Sequence, residues 1–226
     1  MFCWAKLIGF PCELAGVTDS LKSRLAGLKS DLDRLPEADE PPSTTLQIIR
    51  SRQQEQDWQR LLFHYLSPDE PHGLDHALLE HLLSALSERS ELNFTFSQFD
   101  LADIQIEQEV TVSNGRIPDA VIWTSEGWFI CLELKVNASE DEDQTRDYVD
   151  AKSFSSINLR KNEVPADNHH YIYLTPDGTS AEADEFVSVS WKWVAKEIQT
   201  FLVESQGKYP ARTIAQLETF TGTIQS

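Results

Sequence analysis

Two short segments of this chain carry residue types that could do chemistry together. Ile117-Pro118-Asp119-Ala120-Val121-Ile122 sets an aspartate at the start of one apolar run. Phe129-Ile130-Cys131-Leu132-Glu133-Leu134-Lys135 ends a second apolar run on a carboxylate and an ammonium one residue apart. Alternate side chains of a strand share a face, so Glu133 and Lys135 should point one way while Leu134 points into the protein. A hairpin joining the two runs would bring Asp119 alongside them. Hard carboxylate oxygens suit Mg2+ or Mn2+, which keep several waters and take one or two carboxylates, a substrate phosphate completing the shell. Asp119 and Glu133 are therefore the expected metal ligands, with the backbone carbonyl of Leu134 as a third. Lys135 would orient or help deprotonate an attacking water and offset charge building on a phosphate, while the metal lowers the pKa of a bound water. Such a set can cleave a phosphodiester. The plainer alternative is a surface ion pair on an ordinary hairpin. Against it, Trp128 to Leu134 reads as a buried central strand, where a carboxylate and an amine are costly unless used.

These residues need elements to hold them, and the next segment supplies one. Asp143-Gln144-Thr145-Arg146-Asp147-Tyr148-Val149 reads as a helix with Gln144 and Tyr148 one turn apart on one face. On these segments the chain resembles the PD-(D/E)XK nuclease superfamily, whose motif strands are followed by a helix bearing a Gln, and often a Tyr, turned toward the active site. The resemblance makes Pro118-Asp119 and Glu133-Leu134-Lys135 the signature, and Gln144 and Tyr148 accessory site residues. Upstream, Glu55-Gln56-Asp57-Trp58-Gln59-Arg60-Leu61-Leu62-Phe63-His64-Tyr65-Leu66 has the apolar spacing of a core-facing helix and stops in the Pro/Gly-rich Ser67 to Leu74. It resembles the opening of one branch of the superfamily, a Glu-bearing helix running into a Pro and a His-Gly turn. By that likeness Glu55 is the acid that reaches the metal, directly or through water, with Asp57 and Glu109 as competitors. The Leu174-Thr175-Pro176 strand end and the Ser/Trp approach to the last helix resemble the same branch. The likeness spans Glu55 to Leu202 and departs from the pattern in the acidic run Glu140 to Asp143 and in Thr145, where an apolar residue is usual.

The resemblance implies a metal-dependent endo- or exodeoxyribonuclease that uses Mg2+ or Mn2+ on DNA, in defence against foreign DNA, restriction or repair. RNA as substrate, or a catalytically inactive interaction module with the same fold, are the alternatives. It also implies an α/β fold with a restriction-endonuclease-like core. Double-strand cleavage usually needs two sites, so a homo-oligomer or a protein partner fits as well.

Periodicity predicts helices near Leu14–Leu35, Thr45–Leu66 and Leu74–Ser87, then strands near Ile104–Val112, Ile117–Trp123 and Trp128–Val136. A helix near Glu140–Leu159, strands near Tyr171–Thr175 and Phe186–Val189, and helices near Lys192–Glu204 and Ala211–Phe220 complete the order. That order suits a mixed central sheet with helices on both faces. Asn114-Gly115 predicts a tight turn ahead of the motif strand. The leucine stripe of the first helix and the prolines and acids of Glu37 to Thr45 divide the chain into a helical extension with a linker, 1–45, and a nuclease-like domain, 46–226.

With 226 residues the chain needs no staples. Three cysteines give neither an even disulfide framework nor a zinc pattern and fit a reducing cytoplasm. The apolar start, interrupted by Lys6, is too short for a membrane span. His72, His76 and His81 lack a shared helical face, no Gly-x-Ser-x-Gly elbow supports a serine triad, and no Gly-rich loop supports an NTPase. The balance of 37 acids against 19 bases, net −18, runs against a free-standing DNA binder, which must neutralise phosphates. Arg146, Lys152, Arg160 and Lys161 are the best candidates for a phosphate-facing strip, with a solvated helix face as the plainer reading. Acids lying away from the cleft, a partner subunit that supplies the basic surface, or a surface adapted to a salty cytoplasm would equally reconcile the charge.

Overall fold

A computed structural model describes residues 22–28, 55–125 and 127–225. Of the expected N-terminal helix, only residues 22–28 are among these, and they are helical with every side chain exposed. The rest of that helix, the Glu37–Thr45 linker and the start of the Thr45–Leu66 helix lie outside the described residues. No helix among the described residues is long and apolar enough to cross a membrane.

From Glu55 onward the order is α1 (Glu55–Leu66), α2 (Ala77–Ser87), α3 (Gln98–Asp103), β1 (Gln105–Gln108), β2 (Ala120–Trp123), β3 (Phe129–Leu134) and α4 (Gln144–Asp150). Then come β4 (Ser153–Phe154), β5 (Leu159–Arg160), β6 (His169–Thr175), β7 (Phe186–Ser190), α5 (Trp191–Glu204) and α6 (Ala211–Ile224). Five strands form one mixed sheet in the order β1-β2-β3-β6-β7. The first three are an antiparallel meander, whereas β6 runs parallel to β3 and β7 parallel to β6. A parallel step needs a long crossover, and the α4 segment with the small β4–β5 hairpin provides it between β3 and β6.

Strand parity sorts the side chains into two cores. Ile130, Leu132 and Leu134 of β3, with Ile122 and Leu174 of its neighbours, pack under α1, α2, α5 and α6. Phe129 and Cys131, with Val121 and Tyr171, pack on the other face with Tyr148 of α4 and Phe154 and Leu159 of the hairpin. Helices thus cover both faces of an α/β sheet, the restriction-endonuclease-like arrangement. Both faces being covered explains why β2 and β3 are buried at every position rather than alternately.

Two elements differ from the periodicity. The expected strand Ile104–Val112 stops at Gln108, because Glu109 takes the left-handed conformation (φ 54°) and turns the chain out of the ladder. Val110 and Val112 then enter the second core, and Val112 bridges to Phe154. The expected helix Glu140–Leu159 is confined to Gln144–Asp150, and the chain beyond it forms the β4–β5 hairpin around a 3-10 turn at Ser155–Ile157 and Asn158 at φ 57°. Serines compete with a helix through their own hydroxyls, and the hairpin buries Phe154 and Leu159, which a continuing helix would carry away from the sheet. At Asn114-Gly115 the turn forms as expected: Gly115 has φ 88°, and the Val112 N–H donates to the Arg116 carbonyl at 2.9 Å.

Candidate active site

Parallel strands end together, so β3, β6 and β7 present their carboxyl ends on one edge of the sheet, a preferred place for ligands in α/β folds. Antiparallel β2 starts at that same edge. Ala120 pairs with Leu132, and one step further in the same register sets Asp119 across from Glu133. An Asp119 carboxylate oxygen (Oδ2) accepts the Leu134 N–H at 2.7 Å, tying the first motif residue to the middle of the second motif. The Lys135 ammonium donates to Glu133 Oε1 at 2.6 Å, with both side chains nearly buried. Leu134 points the other way, into the core under the helices.

Three further residues predicted from the sequence converge here. Gln144 Nε2 donates to Glu133 Oε1 at 2.7 Å and lies 2.9 Å from the Tyr148 hydroxyl, whose own proton goes to the Ile117 carbonyl at 3.0 Å. Gln144 and Tyr148 therefore work as the one-turn pair their spacing suggests. A carboxylate oxygen of Glu55 accepts the Val136 N–H at 3.1 Å, bringing the first turn of α1 to the end of the motif strand.

The basic strip does not assemble as one face. Arg146 pairs with Asp143 and Arg160 with Glu163, each three residues away, and Lys152 is exposed. Lys161 is buried. Its ammonium donates to the carbonyls of Tyr148 at 2.5 Å and Val149 at 3.0 Å and to the Tyr171 hydroxyl at 2.9 Å. It sits within 6 Å of the rings of Phe129, Phe154 and Tyr171. It satisfies carbonyls at the end of α4 from inside the protein. The other end of α4 is held by Glu140, which accepts from the backbone and hydroxyl of Thr145 and from the Glu182 N–H. The acidic run and Thr145, the two departures from the family pattern, are thus one clamp: Thr145 is buried, and its hydroxyl oxygen also accepts the Ala183 N–H. A seven-residue helix is not stable by itself, so these two clamps place Gln144 and Tyr148.

Two residues at the site, Gln59 and Trp191, lie in segments that resemble the family but carry no site role expected from the sequence. Gln59 Nε2 donates to the Asp119 carbonyl at 2.8 Å, and the same carbonyl accepts the Glu109 N–H at 2.9 Å. Its spacing one turn after Glu55 was the available signal. Trp191 Nε1 donates to the Lys135 carbonyl at 2.9 Å, a contact made across the fold that no local pattern announces.

The electrostatics are set by burial. Removal from water pushes the Asp119 carboxyl up to about 6, opposed by the Leu134 N–H and Lys135 and reinforced by Glu55 and Glu109. Burial, then the neighbouring Asp119, pushes Glu133 up to about 7 against the pull of Lys135. Burial pulls the Lys135 ammonium down, but the Glu133 carboxylate, with Glu55 and Asp119, outweighs it and leaves Lys135 above its ordinary value. Burial and then the Glu133 charge push the Tyr148 hydroxyl up. Among the described residues, the buried Glu133 Oε2 receives no hydrogen bond.

That orphaned oxygen is what a hard divalent cation would satisfy. Asp119 and Glu133 beside the Leu134 backbone fit Mg2+ or Mn2+, whose positive charge would favour the ionised form of both acids. Among the described residues no three His, Cys, Asp or Glu side chains form a ready metal cage. Mg2+ asks for less than that, since one or two carboxylates with waters suffice. A family model described as the PD-(D/E)XK nuclease superfamily matches residues 44–220. Searches of curated proteins and of solved structures found no match.

Proposed function

The chain belongs to the PD-(D/E)XK nuclease superfamily, and from that premise we propose that it is a divalent-metal-dependent nuclease acting on DNA. The observation that carries this reading is the unpartnered Glu133 Oε2, buried next to Asp119 with Lys135 at 2.6 Å from the other oxygen. A buried carboxylate left half satisfied is costly to the fold and is the signature of a group reserved for a ligand.

In this reading Asp119, Glu133 and the Leu134 carbonyl hold Mg2+ or Mn2+, and Glu55 approaches directly or through a water. The bound ion supplies Lewis-acid polarisation of the scissile phosphate and a more acidic water. The protein's own groups do the rest. Gln144 donates to Glu133 Oε1 and so fixes the carboxylate rotamer that leaves Oε2 free. Lys135 orients the attacking water and offsets the charge that grows on the phosphate in the transition state. Tyr148, tied to the Ile117 carbonyl, locks the turn that delivers Asp119. Such an activity serves defence against foreign DNA, restriction or repair in the cytoplasm.

The test is cleavage of plasmid and linear DNA with Mg2+ or Mn2+ by the full chain. Asp119→Ala and Lys135→Ala should each abolish it; cleavage that survives either substitution would remove these residues from the chemistry.

A further inference from the structure

Beside Asp119 lies a cleft of about 230 Å³ lined by Gln56, Gln59, Arg60, Gln108 and Glu109. Every lining side chain is polar, so whatever binds there is recognised by hydrogen bonds and charge rather than by apolar burial. Its place is set by two of the walls, since Gln59 Nε2 and the Glu109 N–H both donate to the carbonyl of Asp119, the proposed metal ligand. On α1, Gln56 and Arg60 are one turn apart and lie beside the Glu55–Gln59 stripe that serves the site. Opposite them, β1 ends at Gln108 and the backbone turns at Glu109 with φ 54°, a conformation rare for a residue with a side chain.

Arg60 is exposed, and among the described residues it has no hydrogen-bond or ion-pair partner, whereas Arg116, Arg146 and Arg160 are each tied to a carboxylate. In a chain of net charge −18, a free guanidinium next to the site is where a phosphate would be met. The glutamine amides can donate and accept at once, which suits the N6/N7 edge of adenine, and a carboxylate such as Glu109 accepts from an exocyclic amino group.

We propose that this cleft holds one nucleotide of the DNA strand next to the scissile phosphate, Arg60 taking its phosphate and Gln56, Gln108 and Glu109 its base, with adenine preferred over cytosine and both over thymine. The inference rests on the nuclease reading of the Asp119–Glu133 site. It gives an acidic protein a local means of gripping its substrate and makes cleavage depend on the base beside the cut.

The experiment measures fluorescence anisotropy of labelled oligo(dA), oligo(dC) and oligo(dT) with the full chain in Ca2+ over a range of salt, and cleavage of matched duplexes in Mg2+. Arg60→Ala should weaken binding to all three and reduce the slope of log affinity against log salt by about 1. Gln56→Ala with Gln108→Ala should erase the adenine preference, a change of roughly 5- to 100-fold, and raise KM more than it lowers kcat. Wild-type protein that binds no strand, or variants with wild-type affinity, salt slope and base preference, would overturn the cleft. Cleavage with unchanged variants would overturn the cleft alone. An intact binding signature without cleavage in Mg2+ or Mn2+ would overturn the nuclease reading and leave the cleft as a nucleic-acid site.

Discussion

Glu133→Gln is the substitution that most directly separates the cost of the site from its use. The carboxyl goes from 4.5 in the unfolded chain to about 7 in the fold, chiefly through burial and the neighbouring Asp119. A carboxyl raised in this way contributes stability that is fully present below the unfolded value and is lost as pH rises through the folded one. Between pH 5 and pH 8 the loss comes to about 2–3 kcal/mol, or roughly 5–10 °C in Tm for a chain of this size. Gln keeps the shape and an acceptor for Lys135 but cannot ionise, so this part of the loss vanishes. The attraction of the Lys135 ammonium at 2.6 Å exists only once Glu133 ionises and is already contained in the folded value of about 7, so losing it adds no further pH dependence. The readout is therefore the difference between the two pH profiles, not either level. Metal-free thermal unfolding at pH 5, 6, 7 and 8 should show the variant gaining steadily on the wild type, and Mn2+ should restore the wild type at pH 8 while leaving the variant unmoved. Parallel profiles would refute the reasoning, since the buried carboxylate would then carry no ionisation cost for a cation to relieve.

Gln59→Ala removes one of two donors to the Asp119 carbonyl and should cost about 1 kcal/mol in denaturant unfolding, with a fall in Mn2+ affinity by calorimetry. Lys161→Met fits the aromatic cage but leaves the Tyr148 and Val149 carbonyls without their donor; it should cost about 1–3 kcal/mol and speed hydrogen exchange in α4 ahead of β3 and β6. Glu140→Ala opens the opposite clamp and should destabilise by about 0.5–2 kcal/mol, with cleavage falling in step with the loss of the Gln144 contact to Glu133.

What could be read from the sequence was what strand and helix periods encode locally. Period two placed Glu133 and Lys135 together and Leu134 inward, and spacing by four joined Gln144 to Tyr148. The likeness to the superfamily added Glu55, whose carboxylate reaches the motif strand 81 residues away. What escaped depends on the chain's path in space. Glu109 and Asn158 adopt left-handed conformations usual for neither glutamate nor a helix interior, and they cut β1 short and turn the hairpin after α4. Lys161 looked like a surface charge because most lysines are; only the folded cage of three rings and three oxygens makes an interior place for it.

The two interiors and the candidate site acid share a single ruler, strand β3, on which odd positions serve one face and even positions the other. Deleting or inserting one residue between Phe129 and Glu133 would put the two on opposite faces, either sending the aromatic contact of Phe129 with Phe154 to the helical side or aiming the acid of the motif away from Asp119. Length changes in this strand are therefore doubly forbidden, whereas substitutions that keep the count can alter interior or chemistry separately. Drift in such a chain should leave the spacing of these positions untouched long after their identities have begun to change.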